Sequence, residues 1–113
     1  MIKINVFRKN EAISAFEISG HANSGPYGYD LVCAGVSAVS FGAVNAVYEI
    51  CQIDLTVDQA GEGGYLYVEI PTSIPEENMQ KAQLIFEAML ISMRTIERDY
   101  SEFINIQDRE VHE

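Results

Sequence analysis

Hydrophobic residues alternate with polar ones in two neighbouring segments at the start of the chain, residues 2–8 and 12–19. In the first segment Ile2, Ile4 and Val6 occupy every second position. A period of two is typical of a strand with one buried face, and the few polar residues between the segments indicate a hairpin. The chain is therefore predicted to begin with two antiparallel strands.

A second pair of alternating segments lies in the middle of the chain, at residues 53–58 and 65–70. The run Gly61-Glu62-Gly63-Gly64 joins them, and its glycines supply the positive φ angles that a hairpin turn requires. Before this pair, the residues from Leu31 to about Ile50 are mostly small and apolar, which indicates a buried helix. The predicted order is thus hairpin, helix, hairpin.

A second, amphipathic helix is predicted after Pro71, with Ser73 and Ile74 as alternative N-caps. Its apolar residues recur at alternating steps of four and three, and two more broaden the stripe: Ala82, Phe86, Met89, Met93 and Ile96, with Ile85 and Leu90 beside them. Phe103–Ile106 is predicted to form a short last strand. The predicted fold class is α+β, a two-layer sandwich in which a mostly antiparallel four-stranded sheet carries two helices on one face.

Covering one face of the sheet leaves Phe7, Tyr65 and Tyr67 in view on the other. Exposed aromatic side chains of this kind are typical of a subunit contact or a substrate surface. If this face is a subunit contact, the chain forms a homodimer; if it is a substrate surface, the pattern says nothing about dimerisation. Cys51, after the first helix, is interpreted as a core residue.

Length and charge limit the partners. The 113 residues predict one domain, residues 1–113. The net charge is −10, from 17 acidic and 7 basic residues, so we expect no direct contact with nucleic acid or with anionic membranes. A basic protein partner would be attracted. The same acidity is equally explained by the solubility of a small domain.

Cysteine usage and hydropathy indicate the compartment. We expect no apolar stretch long enough to cross a membrane, and the first ten residues do not have the pattern of a secretion signal. The two cysteines, Cys33 and Cys51, lack the close spacing of a disulfide framework or a zinc site. A cytoplasmic protein without metal or cofactor is the expectation.

The candidate catalytic residues lie in the stretch GHANSGPYGYDLVCAGVS, residues 20–37. Asp30 is the predicted N-cap of the first helix, which would place the Cys33 thiol in its first turn. The positive end of a helix stabilises a thiolate, the nucleophilic form of cysteine, and a nearby His21 could accept the thiol proton. Backbone N–H groups at Cys33 and Ala34 could then hold an oxyanion.

A structural interpretation stands beside this one. A lone cysteine at the start of an apolar helix is often a buried packing residue, and a lone histidine is often structural as well. Asp30 is either a helix cap or an orienting partner for His21. Ser37, one helical turn after Cys33, bonds either within the site or to the backbone. Residue types and spacing alone do not choose between these interpretations.

GHA at residues 20–22, the glycine and aspartate at 28 and 30, and VCAGVS at residues 32–37 resemble the signature of the ribosomal-processing cysteine proteases, the Prp family. The resemblance extends over the whole chain, and its motif is fairly specific. It implies that His21 is the catalytic base and Cys33 the nucleophile. It also implies that Asp30 is the acidic residue and Ser37 the serine of the signature.

The segment between His21 and Cys33 is the variable part of the signature. The resemblance implies a flexible loop that covers the site until substrate binds, and we assign Asn23, Gly25, Pro26 and Gly28 to it. It further implies a homodimer that removes a short N-terminal extension from large-subunit ribosomal protein 27.

Two hypotheses of different class follow. In the first, the chain is a cysteine endopeptidase acting through Cys33 and His21 on a basic ribosomal protein. In the second, it is a non-catalytic acidic module that binds a ribosomal protein or an assembly intermediate, and both residues are structural. The two differ in whether the chain turns over a peptide and whether Cys33 is unusually reactive.

Overall fold

Five strands and two long helices make up the fold. The computed structural model describes residues 1–20, 26–60 and 64–111, with the backbone alone for residues 26–30. The elements are β1 (Ile2–Lys9), β2 (Ala12–Ser19), α1 (Pro26–Ala46), a π-helical turn (Val47–Cys51), β3 (Thr56–Gln59), β4 (Tyr65–Glu69), α2 (Glu76–Asp99) and β5 (Ile104–Glu110).

The strands form one mixed sheet in the order β3-β4-β2-β1-β5. Neighbouring strands are antiparallel except β1 and β5, which are parallel. The parallel pair arises because α2, which follows β4 and precedes β5 in the chain, returns the chain along the sheet before β5 begins. The predicted α+β class is confirmed, but the sheet has five strands rather than four. The expected last strand begins at Ile104 and continues to Glu110.

One face of the sheet is buried beneath both helices. Ile2, Ile4 and Val6 of β1 are at most 3% exposed, as their alternation predicts. The rings of Phe16 in β2 and Phe86 in α2 meet edge to face, with centroids 5.4 Å apart. Met89 and Met93 of α2 are also buried, so the predicted core role of these methionines is confirmed.

The α1 helix begins at Pro26, five residues before the predicted start at Leu31. Proline suits the first position of a helix, because its fixed φ angle is helical and its missing N–H would have no helical partner there. Interpreting Pro26 and Gly28 as loop residues was therefore wrong. Asp30 lies inside α1, so its predicted role as N-cap was wrong as well.

Two further boundaries differ from prediction. The β3 strand covers Thr56–Gln59 instead of residues 53–58, because the chain first turns through Gln52 (φ 55°) and buries Ile53 in the core. The N-cap of α2 is Pro75 rather than Ser73 or Ile74. Cys51 is 2% exposed, which confirms its interpretation as a core residue.

The helical segment Leu31–Cys51 is long and apolar enough, by length and composition, to cross a membrane. Its mean hydropathy is 1.7, and 28% of the segment is buried in the fold. The expectation that no stretch reaches this length was therefore wrong. The sequence from Leu31 to Tyr48 contains no charged residue, and small residues between the larger apolar ones sustain the run.

Candidate active site

Gly20 fixes the backbone where the chain leaves β2. Its φ angle is +89°, a conformation that L-residues with a side chain rarely adopt. A Cβ atom at this position would overlap the carbonyl oxygen of Met1. Its N–H donates to the carbonyl of Gly64 at 3.0 Å, which ties β2 to the start of β4. The backbone entering residue 21 is therefore set by glycine geometry, while His21 itself lies outside the described residues.

Cys33 lies on the inner side of α1, near the same end of the sheet as Gly20. It is half-buried, packs against the hydrophobic core and is a free thiol. Because α1 begins at Pro26, Cys33 is in the third turn of the helix. The prediction that it lies in the first turn was wrong. The helix dipole acts mainly over the first turn, so it is not the main influence on this thiol in the present conformation.

The amides of Cys33 and Ala34 were predicted as oxyanion donors. At the eighth and ninth positions of an α-helix, amides bond to the carbonyls four residues earlier. In the observed helix they are therefore not free donors. The prediction assumed a helix that starts near Asp30, and it fails because the helix starts earlier.

A cavity of about 350 Å³ opens beside Cys33. One wall is α1, which contributes Cys33, Val36, Ser37, Ser40 and Phe41 at helical spacing. The other wall is the end of the sheet, which contributes Ile2, Ile18, Gly20, Gln59, Ala60, Gly64, Tyr65 and Leu66. The cavity thus has a mostly apolar lining with one thiol at its edge, which suits a peptide side chain better than a charged ligand.

Ser37 lines this cavity, as its position one turn after Cys33 predicts. Its carbonyl accepts a hydrogen bond from Ser40 Oγ at 3.3 Å. Ser40 is 2% exposed, and its hydroxyl also donates to the Val36 carbonyl at 2.8 Å. Ser40 and Phe41 were missed in the sequence, although they lie two helical turns beyond Cys33 on the same side.

The structure brings only some of the predicted site residues together. Cys33 and Ser37 line one cavity, together with Gly20, which was predicted only as part of the motif. His21, Asn23 and Gly25 lie outside the described residues. For Asp30 the backbone alone is described, so its part in orienting His21 stays a prediction.

The open face of the sheet, opposite the helices, is more polar than predicted. The Tyr65 hydroxyl donates to a Glu17 carboxylate oxygen at 3.0 Å, and this hydrogen bond raises the pKa of Tyr65. Burial, followed by a bond to Glu69 at 3.1 Å, raises the pKa of Tyr67. The guanidinium of Arg109 lies 5.7 Å from the centre of the Phe7 ring. The hydroxyl groups of the two tyrosines and the ring of Phe7 therefore each already have a partner within the chain.

Among the residues that the structure describes, no three histidine, cysteine, aspartate or glutamate side chains gather in a group that could hold a metal ion.

Sequence comparison extends over nearly the whole chain. A family model described as "Cysteine protease Prp" matches residues 1–105. The ribosomal processing cysteine protease Prp of Bacillus subtilis is 47% identical over 107 residues, covering 94% of this chain and 96% of the relative. The protein of the same name in Staphylococcus aureus is 36% identical over 107 residues, covering 94% and 97%.

Structural comparison agrees. The S. aureus ribosomal processing protease Prp, solved with a covalently linked product peptide, superposes with a TM-score of 0.84 at 34% identity, covering 96% of this chain and all of that one. SMU.848 from Streptococcus mutans gives a TM-score of 0.86 at 30% identity, covering 98% and 96%. These matches favour a protease over a non-catalytic acidic module. The chain belongs to the Prp family of ribosomal processing cysteine proteases.

Proposed function

We propose that this cysteine protease removes a short N-terminal extension from large-subunit ribosomal protein 27, with Cys33 as nucleophile and His21 as base. The observation that carries the proposal is a half-buried free thiol at the edge of an apolar cavity, beside the glycine that sets the backbone before His21. The covalently linked product peptide on the S. aureus relative is what a cysteine nucleophile would leave.

The reaction has two stages: the acyl group of the substrate is transferred to Cys33 and then from Cys33 to water. His21 takes the Sγ proton, and the thiolate attacks the carbonyl carbon of the scissile peptide bond. The tetrahedral intermediate collapses as the amine leaves with the proton from His21, which leaves a thioester on Cys33. Water, deprotonated by His21, then attacks the thioester, releasing the new carboxylate and restoring the thiol. The amides of Cys33 and Ala34 take part only if the first turns of α1 unwind to free them.

The cavity contributes substrate selection. Its apolar walls would bury an apolar side chain next to the scissile bond, and the gain grows with the apolar area removed from water. Polar groups at its rim, among them Gln59 and Ser37, remain available to the peptide backbone. We therefore propose that the substrate has a bulky apolar residue beside the cleaved bond, and that a peptide with a charged residue at that position is cleaved poorly.

The charge of the protein fits a basic substrate. A net charge of −10 raises the encounter rate with a lysine- and arginine-rich ribosomal protein, and salt weakens the effect. We place the reaction in the cytoplasm, where a reducing environment keeps Cys33 a thiol. No direct contact with nucleic acid or a membrane is part of the proposal.

We further propose that the chain acts as a homodimer, joined through the outer face of α1. Leu31 is 58% exposed and Tyr48 62%, and Ala34 and Ala38 are also exposed between them. This uncharged face is the part of an acidic molecule where two copies can approach without repulsion. Leu31→Asp should shift the mass measured by sedimentation from dimer to monomer, whereas Leu84→Asp, at a leucine of α2 that is 73% exposed, should leave it unchanged. A monomeric parent protein would contradict the proposal.

The test of the catalytic assignment is cleavage of a peptide that copies the N-terminal extension of ribosomal protein 27, followed by mass spectrometry. Cys33→Ser and His21→Ala should each lower kcat by about a thousandfold or more, while Cys51→Ala, at a buried cysteine, should retain most of it. Iodoacetamide at pH 6 should label Cys33 much faster than Cys51. Undiminished cleavage by the Cys33 or the His21 variant would overturn the assignment of that residue.

A further inference from the structure

The β3 strand ends the sheet on one side and pairs on its other side with β4. All four of its residues, Thr56–Gln59, are exposed. Among the strands of the described residues, none pairs with its outer edge. A free edge presents a row of backbone N–H and C=O groups to any extended chain that lies beside it.

This free edge leads to the Cys33 cavity. Gln59, the last residue of β3, and Ala60 after it line the cavity, together with Phe41 of α1. Gln59 pairs with Leu66 and Val57 with Val68, and both partners are buried on the helix side of the sheet. Paired side chains share a face, so Val57 and Gln59 also point to the helix side.

The helices cover this part of the sheet incompletely. Val57 remains 43% exposed although it lies on the face that is elsewhere the core. Phe41 of α1, which lines the cavity together with Gln59, is 39% exposed. One partly exposed apolar side chain, Phe41, thus lies at the Cys33 cavity, and a second, Val57, lies on β3 two residues before Gln59, next to the free backbone of that strand. The arrangement suits an extended peptide, which offers both backbone hydrogen bonds and alternating side chains.

We propose that an extended segment of the protein substrate binds as an additional strand on the outer edge of β3. The added strand delivers the scissile bond to Cys33, and Val57 contacts one of its side chains. Four residues of β3 span about 13 Å at ~3.3 Å per residue, enough to align several residues on one side of the bond. This inference rests on the peptidase activity and specifies how the substrate backbone is held.

The first test uses substrates. A series of peptides that copy the cleavage site of ribosomal protein 27 carries one N-methyl amide at each successive position. A strand at an edge bonds to it through alternate residues, so methylation should lower kcat/KM by about five- to tenfold at every second position on one side of the bond. Equal values along the series, or losses without alternation, would overturn the proposal.

The second test uses the enzyme. Val57→Asn should raise KM for the unmodified peptide severalfold with little change in kcat, since it alters the binding edge and not the thiol. Leu84→Asn, at another exposed apolar position on α2, is the matched control and should leave both constants unchanged. An unchanged KM for the Val57 variant would count against the proposal. If Cys33→Ser abolishes cleavage while the methylated series shows no alternation, the strand fails and the catalytic assignment stands.

Discussion

The two ends of the sheet are held by different kinds of interaction. At the end near the β1–β2 turn, Arg8 bonds to Glu87 of α2 at 2.6 and 2.9 Å and to Asp108 of β5 at 2.8 and 3.2 Å. Its guanidinium also donates to the carbonyl of Glu11 at 2.9 Å. At the other end, Gly20 makes a backbone contact with Gly64, and beside it lies the open cavity with Cys33.

The sheet is irregular at the Arg8 end, and a side chain from α2 satisfies the backbone groups that the irregularity leaves unpaired. The register between β1 and β2 shifts after Phe7, leaving Ser14 as an extra residue. The side chain of Gln83 in α2 then bonds to both backbone groups of Ile13, accepting at 2.8 Å and donating at 2.7 Å. Side chains from three elements thus hold one end together, while the other end keeps space for a substrate. The difference indicates that the residues at the Arg8 end stabilise the fold without taking part in catalysis.

Gly20→Ala should have the largest effect, because it acts at the catalytic end on the fold and the site together. A Cβ there meets the Met1 backbone, and φ +89° is strained for alanine. We expect a loss of about 3 kcal/mol or more in unfolding free energy and of most peptidase activity. Urea denaturation and peptide cleavage would measure both.

Gly42→Ala is the matched control for that substitution. Apart from the adjacent residues and the helix's own nearby backbone, no atom lies within 4 Å of a Cβ at this helical position. Alanine should therefore raise the unfolding free energy by about 0.5–1 kcal/mol, measured at a concentration at which the chain is monomeric. If both glycine substitutions were equally harmless, the special geometry at Gly20 would not matter.

Arg8→Met should act at the opposite end and separate stability from catalysis. It leaves Glu87 and Asp108 without their main hydrogen-bond donor. The Arg8 side chain is 18% exposed but that of Glu87 is 42%, so we expect a moderate loss of about 1–3 kcal/mol. Below the melting transition kcat/KM should be unchanged. A fall in kcat/KM comparable with that of Gly20→Ala would contradict the division between the two ends.

Glu87→Gln should change the pH dependence of stability. The hydrogen bond from Arg8 lowers the pKa of Glu87 below its usual value. A carboxyl group with a lowered pKa stabilises the fold above its unfolded pKa of about 4.3, and this contribution is lost as the pH falls through the folded pKa. The melting temperature of the parent should therefore drop more steeply than that of the variant below about pH 4.5. Parallel curves would show that the pair contributes little.

Glu11→Gly should have the smallest effect. Asn10 and Glu11 form the β1–β2 turn with φ angles of 52° and 72°. Glycine follows asparagine in the preferred two-residue hairpin turn, because it adopts positive φ without strain. The variant should be more stable by about 0.5–1 kcal/mol in urea denaturation, with unchanged cleavage. A loss of stability would mean that the Glu11 side chain contributes more than its backbone strain costs.

The strands could be predicted where one face is buried and the other is not. The alternation of Ile2, Ile4 and Val6 gave β1 correctly, and the stripe around Phe86 gave α2. The partner of β5 could not be predicted, because parallel pairing depends on where α2 returns the chain. The mispredicted start of α1 follows from reading Pro26 as a loop residue.

The site was less predictable than the fold. Cys33 and Ser37 were found because they share a helix and a short motif. Gln59 and Ala60 were not, because they reach the cavity only through the pairing of β3 and β4. Such contacts between distant segments leave no local pattern.

The central claim is that Cys33 forms the bond to the substrate. Enzyme mixed with the ribosomal peptide and quenched in acid during turnover should carry an added mass equal to the acyl half of the peptide. Digestion should locate this mass on the fragment that contains Cys33, and the Cys33→Ser variant should form no thioester adduct. Rapid cleavage with no adduct at Cys33, or an adduct at Cys51, would contradict the account.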